Sequence, residues 1–91
     1  NMQTLIKQIA SKAIASKLNI DTNISKYEAV KQSADFVLPK ATFVTLKKDG
    51  NLRGCIGSLV AHREFYDDLV TNAQKAAFED PRFKPVTKEE F

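Results

Sequence analysis

The chain has 91 residues, 43% of them hydrophobic and 27% charged, with a net charge of +3. This composition is that of a globular chain and excludes a disordered one. No apolar run approaches the roughly 18 residues needed to span a membrane, and a single cysteine excludes an internal disulfide.

The sequence reads as one small domain over residues 2–91. Asn1 precedes Met2, so it is read as a tag remnant and set aside. A lone Cys without a signal peptide fits a reducing cytoplasm. The charge is uneven: residues 1–59 carry nine Lys/Arg against four Asp/Glu, whereas residues 60–91 carry five against seven. This reads as two solvated faces of opposite bias. A weak nucleic-acid-binding surface is the alternative, but no block of like charge and no aromatics interleaved with lysines support it.

In chain order, Met2–Leu18 is expected to be a helix. Leu5, Ile6, Ile9, Ala10, Ala13, Ile14 and Leu18 form a stripe of period near 3.6, and Asn19 is the expected stop. The stripe lacks the large aromatic anchors of a membrane-surface helix, so it is expected to pack on the domain's own sheet. Ser25-Lys26-Tyr27-Glu28 has the capping-box form and predicts a short helix from Lys26 to about Ala34. Phe36, Val37 and Leu38 should plug the edge of the core.

The next stretch carries the strongest local signal. Ala41–Lys47 and Leu52–Val60 are rich in β-branched and apolar residues, and Asp49-Gly50 stands between them. A β-hairpin is expected, covered on both faces because both carry apolar groups. Glu64–Glu79 is expected to be a second long helix, with Asp67 and Asp68 in its first turns favouring the helix dipole. Asp80-Pro81 closes it. Thr87-Lys88-Glu89-Glu90 is again a capping-box form. The fold class is therefore α/β of the α+β type: an antiparallel, hairpin-based sheet with flanking helices. A two-stranded sheet is marginal alone, so further strands or a partner chain should complete it; an unpaired edge makes a homodimer the expectation.

The residues with chemistry cluster in two places. In Leu52-Arg53-Gly54-Cys55-Ile56-Gly57, two glycines inside a strand need a reason, either a bulge or close approach of a backbone or ligand. Arg53 beside Cys55 could favour a reactive thiolate; equally, Cys55 is a small buried hydrophobe and Arg53 pairs with a carboxylate. In Asp80-Pro81-Arg82-Phe83, Arg82 is a directed guanidinium that either binds a carboxylate or phosphate or ties the loop down on Asp80, Glu79 or a backbone carbonyl. His62 is the only histidine, and pairing with Cys55 is conceivable. One His and one Cys cannot make a zinc site, and no phosphate loop or nucleotide fingerprint is present. No cofactor or metal is expected.

Taken together, Ala41–Leu46, Asp49-Gly50 and Leu52–Ser58, followed by Asn72-Ala73, Ala76–Phe78, Asp80–Phe83, Pro85–Thr87 and Glu89-Glu90, resemble the AMMECR domain family. The resemblance covers residues 41–91 closely; before that it extends only to a leading helix. It implies an α/β fold with an antiparallel sheet and flanking helices. The family domain is about twice this long, with further strands after the Glu89-Glu90 position, so the chain is expected to be its N-terminal part. The resemblance implies no settled activity. It implies a binding or accessory role in a modification pathway, with Memo-like or radical S-adenosylmethionine proteins as partners. The positions that match the family's polar and glycine motifs are Arg53, Gly54, Cys55, Gly57, Asn72, Asp80 and Arg82. Two functional readings follow: a binding module with a cleft near Arg53, Cys55 and Arg82, binding through Arg53, Gly54, Gly57, Asn72, Asp80 and Arg82, or a thiol-dependent enzyme or enzyme subunit using Cys55. Arg53 and Arg82 are expected to point into one concave surface with Cys55 at its floor; guanidinium groups more than about 15 Å apart could not share a small anion.

Overall fold

The computed structural model describes residues 1–20 and 24–91. Helix α1 spans Met2–Lys17, a 3-10 turn spans Ile24–Tyr27, and the short helices α2 and α3 span Glu28–Lys31 and Ala34–Val37. Strands β1 (Phe43–Lys48) and β2 (Asn51–Gly57) form an antiparallel hairpin, and helix α4 spans Phe65–Phe78. This is an α+β fold with a two-stranded antiparallel sheet and flanking helices. No helix among the described residues is long and apolar enough to cross a membrane.

Helix α1 begins and ends as its sequence dictates. Asn1 is its N-cap, accepting from the Thr4 amide at 2.9 Å; a short polar side chain there satisfies an otherwise orphaned donor. Asn19 has φ +58°, the left-handed conformation that Asn tolerates better than most residues. That kink lets the Asn19 amide reach Ser16 O and the Ile20 amide reach Ala15 O, the paired bonds of a Schellman stop.

The segment between α1 and the hairpin departs from expectation. Instead of one helix from Lys26 to Ala34 there are a 3-10 turn and two one-turn helices. Ser25 lies inside the 3-10 turn, and α2 has no side-chain cap. A capping box needs an extended N-cap residue, and the backbone does not supply one there. Ser33, with φ −71° and ψ 156°, interrupts the helical run before α3. The break delivers Phe36 to the core. It is 1% exposed, its ring stacks on Phe65 at 4.8 Å and meets Tyr66 edge-on at 6.2 Å. Leu38, expected to help plug the core, is exposed.

The hairpin turn lies at Asp49-Gly50, with φ +52° and +81°, the two positive values that a type I′ turn requires. The strands pair Thr45 with Cys55 and Leu46 with Gly54; Lys47 then pairs with Leu52. Arg53 is thus the extra residue of a β-bulge, a device that re-aims a side chain. Among the described residues, the expected cover on both faces is not found. Val44 and Gly54 face α4 and are buried, whereas Phe43 and Thr45 on the opposite face are exposed.

Helix α4 is the centre of the molecule. Leu69, Ala73, Ala76 and Ala77 are buried in one core with Ile9, Ala13 and Ile14 of α1, Phe36 and Val44. Its alanines allow close approach. At Gly54 an added Cβ would collide with the Ala76 carbonyl, so this glycine is where helix and strand backbones meet. Gln74 Nε2 donates to Ala13 O at 3.0 Å, tying α4 to α1.

Candidate functional site

Two polar clusters lie along β2, one just past its C-terminal end and one running from its middle toward the turn. The first is built on α4. Asp68, expected to serve the helix dipole, is instead fully buried. Its carboxylate accepts from the Thr42 amide and hydroxyl, both at 2.7 Å, from Ser58 Oγ at 2.7 Å and from Arg63 Nε at 2.8 Å. One helical turn on, Asn72 Nδ2 lies 2.9 Å from Thr42 Oγ1, 3.0 Å from Ser58 Oγ and 3.1 Å from Asp68 Oδ2. Burial pushes the Asp68 pKa up, but hydrogen bonds from Thr42, Ser58 and Arg63 outweigh it and hold the carboxyl below its ordinary value. His62 Nε2 stands 3.7 Å from Asp68 Oδ1. The cluster pins the open end of the hairpin, through Thr42 before β1 and Ser58 after β2, to α4. Sequence reasoning missed Asp68, Thr42, Ser58 and Arg63; the usable signal was Asp68 and Asn72 four residues apart on one helix face.

The second cluster gathers the motif residues. Asp80, two residues beyond the end of α4, is buried. It accepts from the Cys55 amide at 3.0 Å, from the Arg82 amide at 3.0 Å, and from Arg82 Nε and Nη2 at 3.0 and 2.8 Å. The Arg82 guanidinium, foremost, holds the Asp80 carboxyl far below the usual range. Asp80 raises the Arg82 pKa in return, and Cys55 is near enough to add a little to this. Because the Cys55 amide turns toward Asp80, it does not join the β1–β2 ladder. The Cys55 thiol is half-buried, on the side of the sheet away from α4, 3.4 Å from Thr45 Oγ1.

Arg53 reaches the other way along the same edge. Its Nε and Nη2 donate to Glu90 at 2.8 and 2.9 Å, and Nη2 also to Lys84 O at 2.8 Å. Lys48 Nζ reaches Glu90 at 3.0 Å. Glu90 is held in place by the expected capping box: the Thr87 amide donates to Glu90 Oε1 and the Glu90 amide to Thr87 Oγ1, both at 3.2 Å. Arg53 and Lys48 together drive the Glu90 carboxyl far below its ordinary value, Arg53 the more. Arg53 Nη1 is buried and meets no hydrogen-bond partner among the described residues.

The two arginines flank one ring. Their guanidinium carbons lie 5.9 Å and 5.5 Å from the Phe83 centroid, so their separation cannot exceed the sum of those distances and falls inside the range within which one small anion feels both. Each, however, is already engaged by a carboxylate. The Arg82 side chain is 57% exposed and that of Arg53 16%, which leaves Arg82 as the accessible cation. Gly57 lies beneath the Phe43 ring, where an added Cβ would strike it. Asn72 belongs to the first cluster. His62 sits with Asp68 and Cys55 with Thr45, and no hydrogen bond joins His62 to Cys55 among the described residues. No group of three or more His, Cys, Asp or Glu arranged to hold a metal occurs among the described residues.

This arrangement occurs in a chain with relatives. A protein of Methanothermobacter thermautotrophicus is 41% identical over 88 residues, which cover 97% of this chain and 44% of that protein. One from Saccharolobus solfataricus is 36% identical over 93 residues, covering 94% and 38%. The crystal structure of an uncharacterized protein from Pyrococcus horikoshii superposes with a TM-score of 0.80 at 27% identity, covering 94% of this chain and 44% of that one. The chain thus spans less than half the length of these relatives. The AMMECR1 family matches over residues 7–91, nearly the whole sequence, and the chain belongs to that family.

Proposed function

We propose that this chain is a binding or accessory module that presents the rim formed by Cys55, Arg82 and Phe83 to an anionic group on a small molecule or partner. The observation that carries the reading is Arg82. Asp80 fixes its Nε and Nη2 edge, yet more than half of the side chain is in solvent. A guanidinium oriented by a buried carboxylate has its remaining N–H donors pre-aimed, which lowers the entropic cost of binding. In this reading Gly54 and Gly57 serve by letting α4 and Phe43 approach the strand, Arg53 braces Phe83, and Asn72 secures the hairpin. The modification-pathway setting belongs to the same proposal, with Memo-like or radical S-adenosylmethionine proteins as partners.

The test is a titration of the amide NMR spectrum with succinate and with inorganic phosphate. Saturable shifts at Cys55, Arg82 and Phe83 that vanish in Arg82→Gln support the module. Shifts that survive the substitution, or no saturable shift with either anion, refute it.

A second reading is favoured by one observation: the Cys55 thiol is half-buried on the helix-free face, not packed beneath α4. Partial exposure beside a cation suits thiol chemistry. Under native conditions a disulfide reagent such as Ellman's should then modify Cys55 at a rate approaching that of the unfolded chain. A thiol that reacts only after unfolding excludes this role.

A further inference from the structure

The rim carries its own counter-ion. Asp80 bonds one edge of the Arg82 guanidinium: Nε donates to Oδ1 at 3.0 Å and Nη2 to Oδ2 at 2.8 Å. A guanidinium presents five N–H groups on a planar fork, so the edge formed by Nη1 and the second Nη2 hydrogen is left over. Among the described residues no hydrogen bond reaches Nη1 of Arg82. Asp80 cannot move aside, because it is 5% exposed and also accepts from the Cys55 and Arg82 amides, both at 3.0 Å. A ligand on the remaining edge therefore meets a cation with a fixed anion on its neighbouring edge. The second guanidinium adds little, since Arg53 is committed to Glu90 and to Lys84 O. Helix α4 ends two residues before Asp80, and the carbonyls of a helix C-terminus add partial negative charge.

We propose that the rim selects a monocarboxylate attached to an apolar group and rejects dianions such as a phosphate monoester, with Asp80 as the specificity-determining residue; this rests on the reading of Arg82 as the anion-binding group. A carboxylate is planar and matches a single guanidinium edge with both oxygens. Phe83, its ring centroid 5.5 Å from the Arg82 guanidinium carbon, lies beside that edge for the apolar part. Charge makes the choice between carboxylate and phosphate. Attraction to Arg82 grows in proportion to the ligand's charge, and Asp80 cancels much of it. The cost of leaving water grows as the square of that charge. One charge is therefore bound, whereas a second costs more than it gains. Small organic acids and peptide C-termini share this chemistry.

The test follows the amides of Cys55, Arg82 and Phe83 by NMR during titration with benzoate, phenyl phosphate and the dipeptide acetyl-alanyl-phenylalanine. Phenyl phosphate is singly charged at about pH 5 and doubly charged at about pH 7.5, its second pKa being about 6; benzoate carries one charge at both. Asp80 stays ionised and Arg82 protonated throughout, because each holds the other's charge. Benzoate should bind equally at the two pH values, and phenyl phosphate at least about threefold more weakly at the higher one. Asp80→Asn should abolish that loss; if this variant does not fold, the comparison on wild type decides alone. Binding of the dipeptide more tightly than benzoate supports a chain terminus as the source of the carboxylate, and the reverse order a small acid. Phenyl phosphate that binds as well or better at about pH 7.5, while benzoate still binds, overturns this inference and leaves the rim standing. A loss that persists in folded Asp80→Asn overturns the role of Asp80. No saturable shift with any of the three ligands overturns the rim as well.

Discussion

At the scale of single residues, two positions carry far more than their size suggests. Gly54 is where the backbones of β2 and α4 touch, and a methyl group there meets the Ala76 carbonyl. Backbone is costly to displace, so Gly54→Ala should destabilise the fold by about 2 kcal/mol or more, read as a lower midpoint in urea. Asp68 is the hub of a buried network with three neutral side chains and Arg63. Asp68→Asn retains shape but strips Arg63 of its counter-charge and replaces an acceptor by a donor. A loss of about 2–4 kcal/mol is expected; Glu in its place should not rescue it, since the longer side chain overfills a site with no exposure. Neither role follows from composition: the glycine announced only that it needed a reason, and Asp68 reads in one dimension as an ordinary first-turn acid. Cys55, Arg53, Arg82 and Asp80 stood out in the sequence by their residue types and spacing, but their partners lie 25 to 37 residues away in two of three cases, beyond any local pattern.

At the scale of elements, local chemistry and structure agree where the backbone conformation is itself the signal. The turn at Asp49-Gly50 is such a case. Gly50 has φ +81° with nothing near its absent side chain, so only conformation opposes a substitution. Gly50→Val should cost about 1 kcal/mol or more, because a β-branched residue resists positive φ; an unchanged unfolding midpoint would contradict this. Helix α1 with its Asn19 stop, helix α4, and the reciprocal Thr87–Glu90 capping box are equally local and were legible as written. The Ser25–Glu28 box has the same four-residue form, yet it does not form. The difference lies in what the segment must deliver: Phe36 has to reach Phe65 and Tyr66, and breaking the helix at Ser33 achieves this. Burial of a large aromatic outweighs a cap worth roughly 1 kcal/mol.

At the scale of the whole molecule, three carboxylates add polar ties between the apolar-packed hairpin and the rest of the chain: Asp68 at one end, Asp80 at the strand's middle, Glu90 near the turn. All three are held below their ordinary values of 3.8, 3.8 and 4.5. A carboxyl depressed in the folded state adds stability that is complete above its unfolded pKa and is lost as pH falls toward the folded one. Thermal stability should therefore be level from neutral pH to about pH 5 and drop steadily below about pH 4, with the hairpin amides exchanging first. A melting temperature that holds constant down to pH 2.5 would show that these pairs contribute nothing to the fold. Asp68→Asn should flatten part of the acid slope, because it removes one of the titrating groups.

The sequence by itself determined the α+β class, the two long helices, the hairpin with its turn, and the family, because each depends on neighbours within about a turn of helix or one hairpin, or on motifs in fixed order. It also marked the residues from Arg53 to Gly57 and from Asp80 to Phe83 as unusual. Only the tertiary structure decided what these residues do to each other: that Asp80 binds both the Cys55 backbone and Arg82, that Arg53 is answered by Glu90 from the far end of the chain, and that both guanidiniums share Phe83. It decided, too, that Phe43 and Thr45, on the face of the hairpin away from α4, are exposed among the described residues. Both facts have one physical cause. Side-chain pairing across long sequence separation is set by how α4 and its following loop pack on the strands, and that packing is chosen by total burial of apolar surface rather than by any local preference.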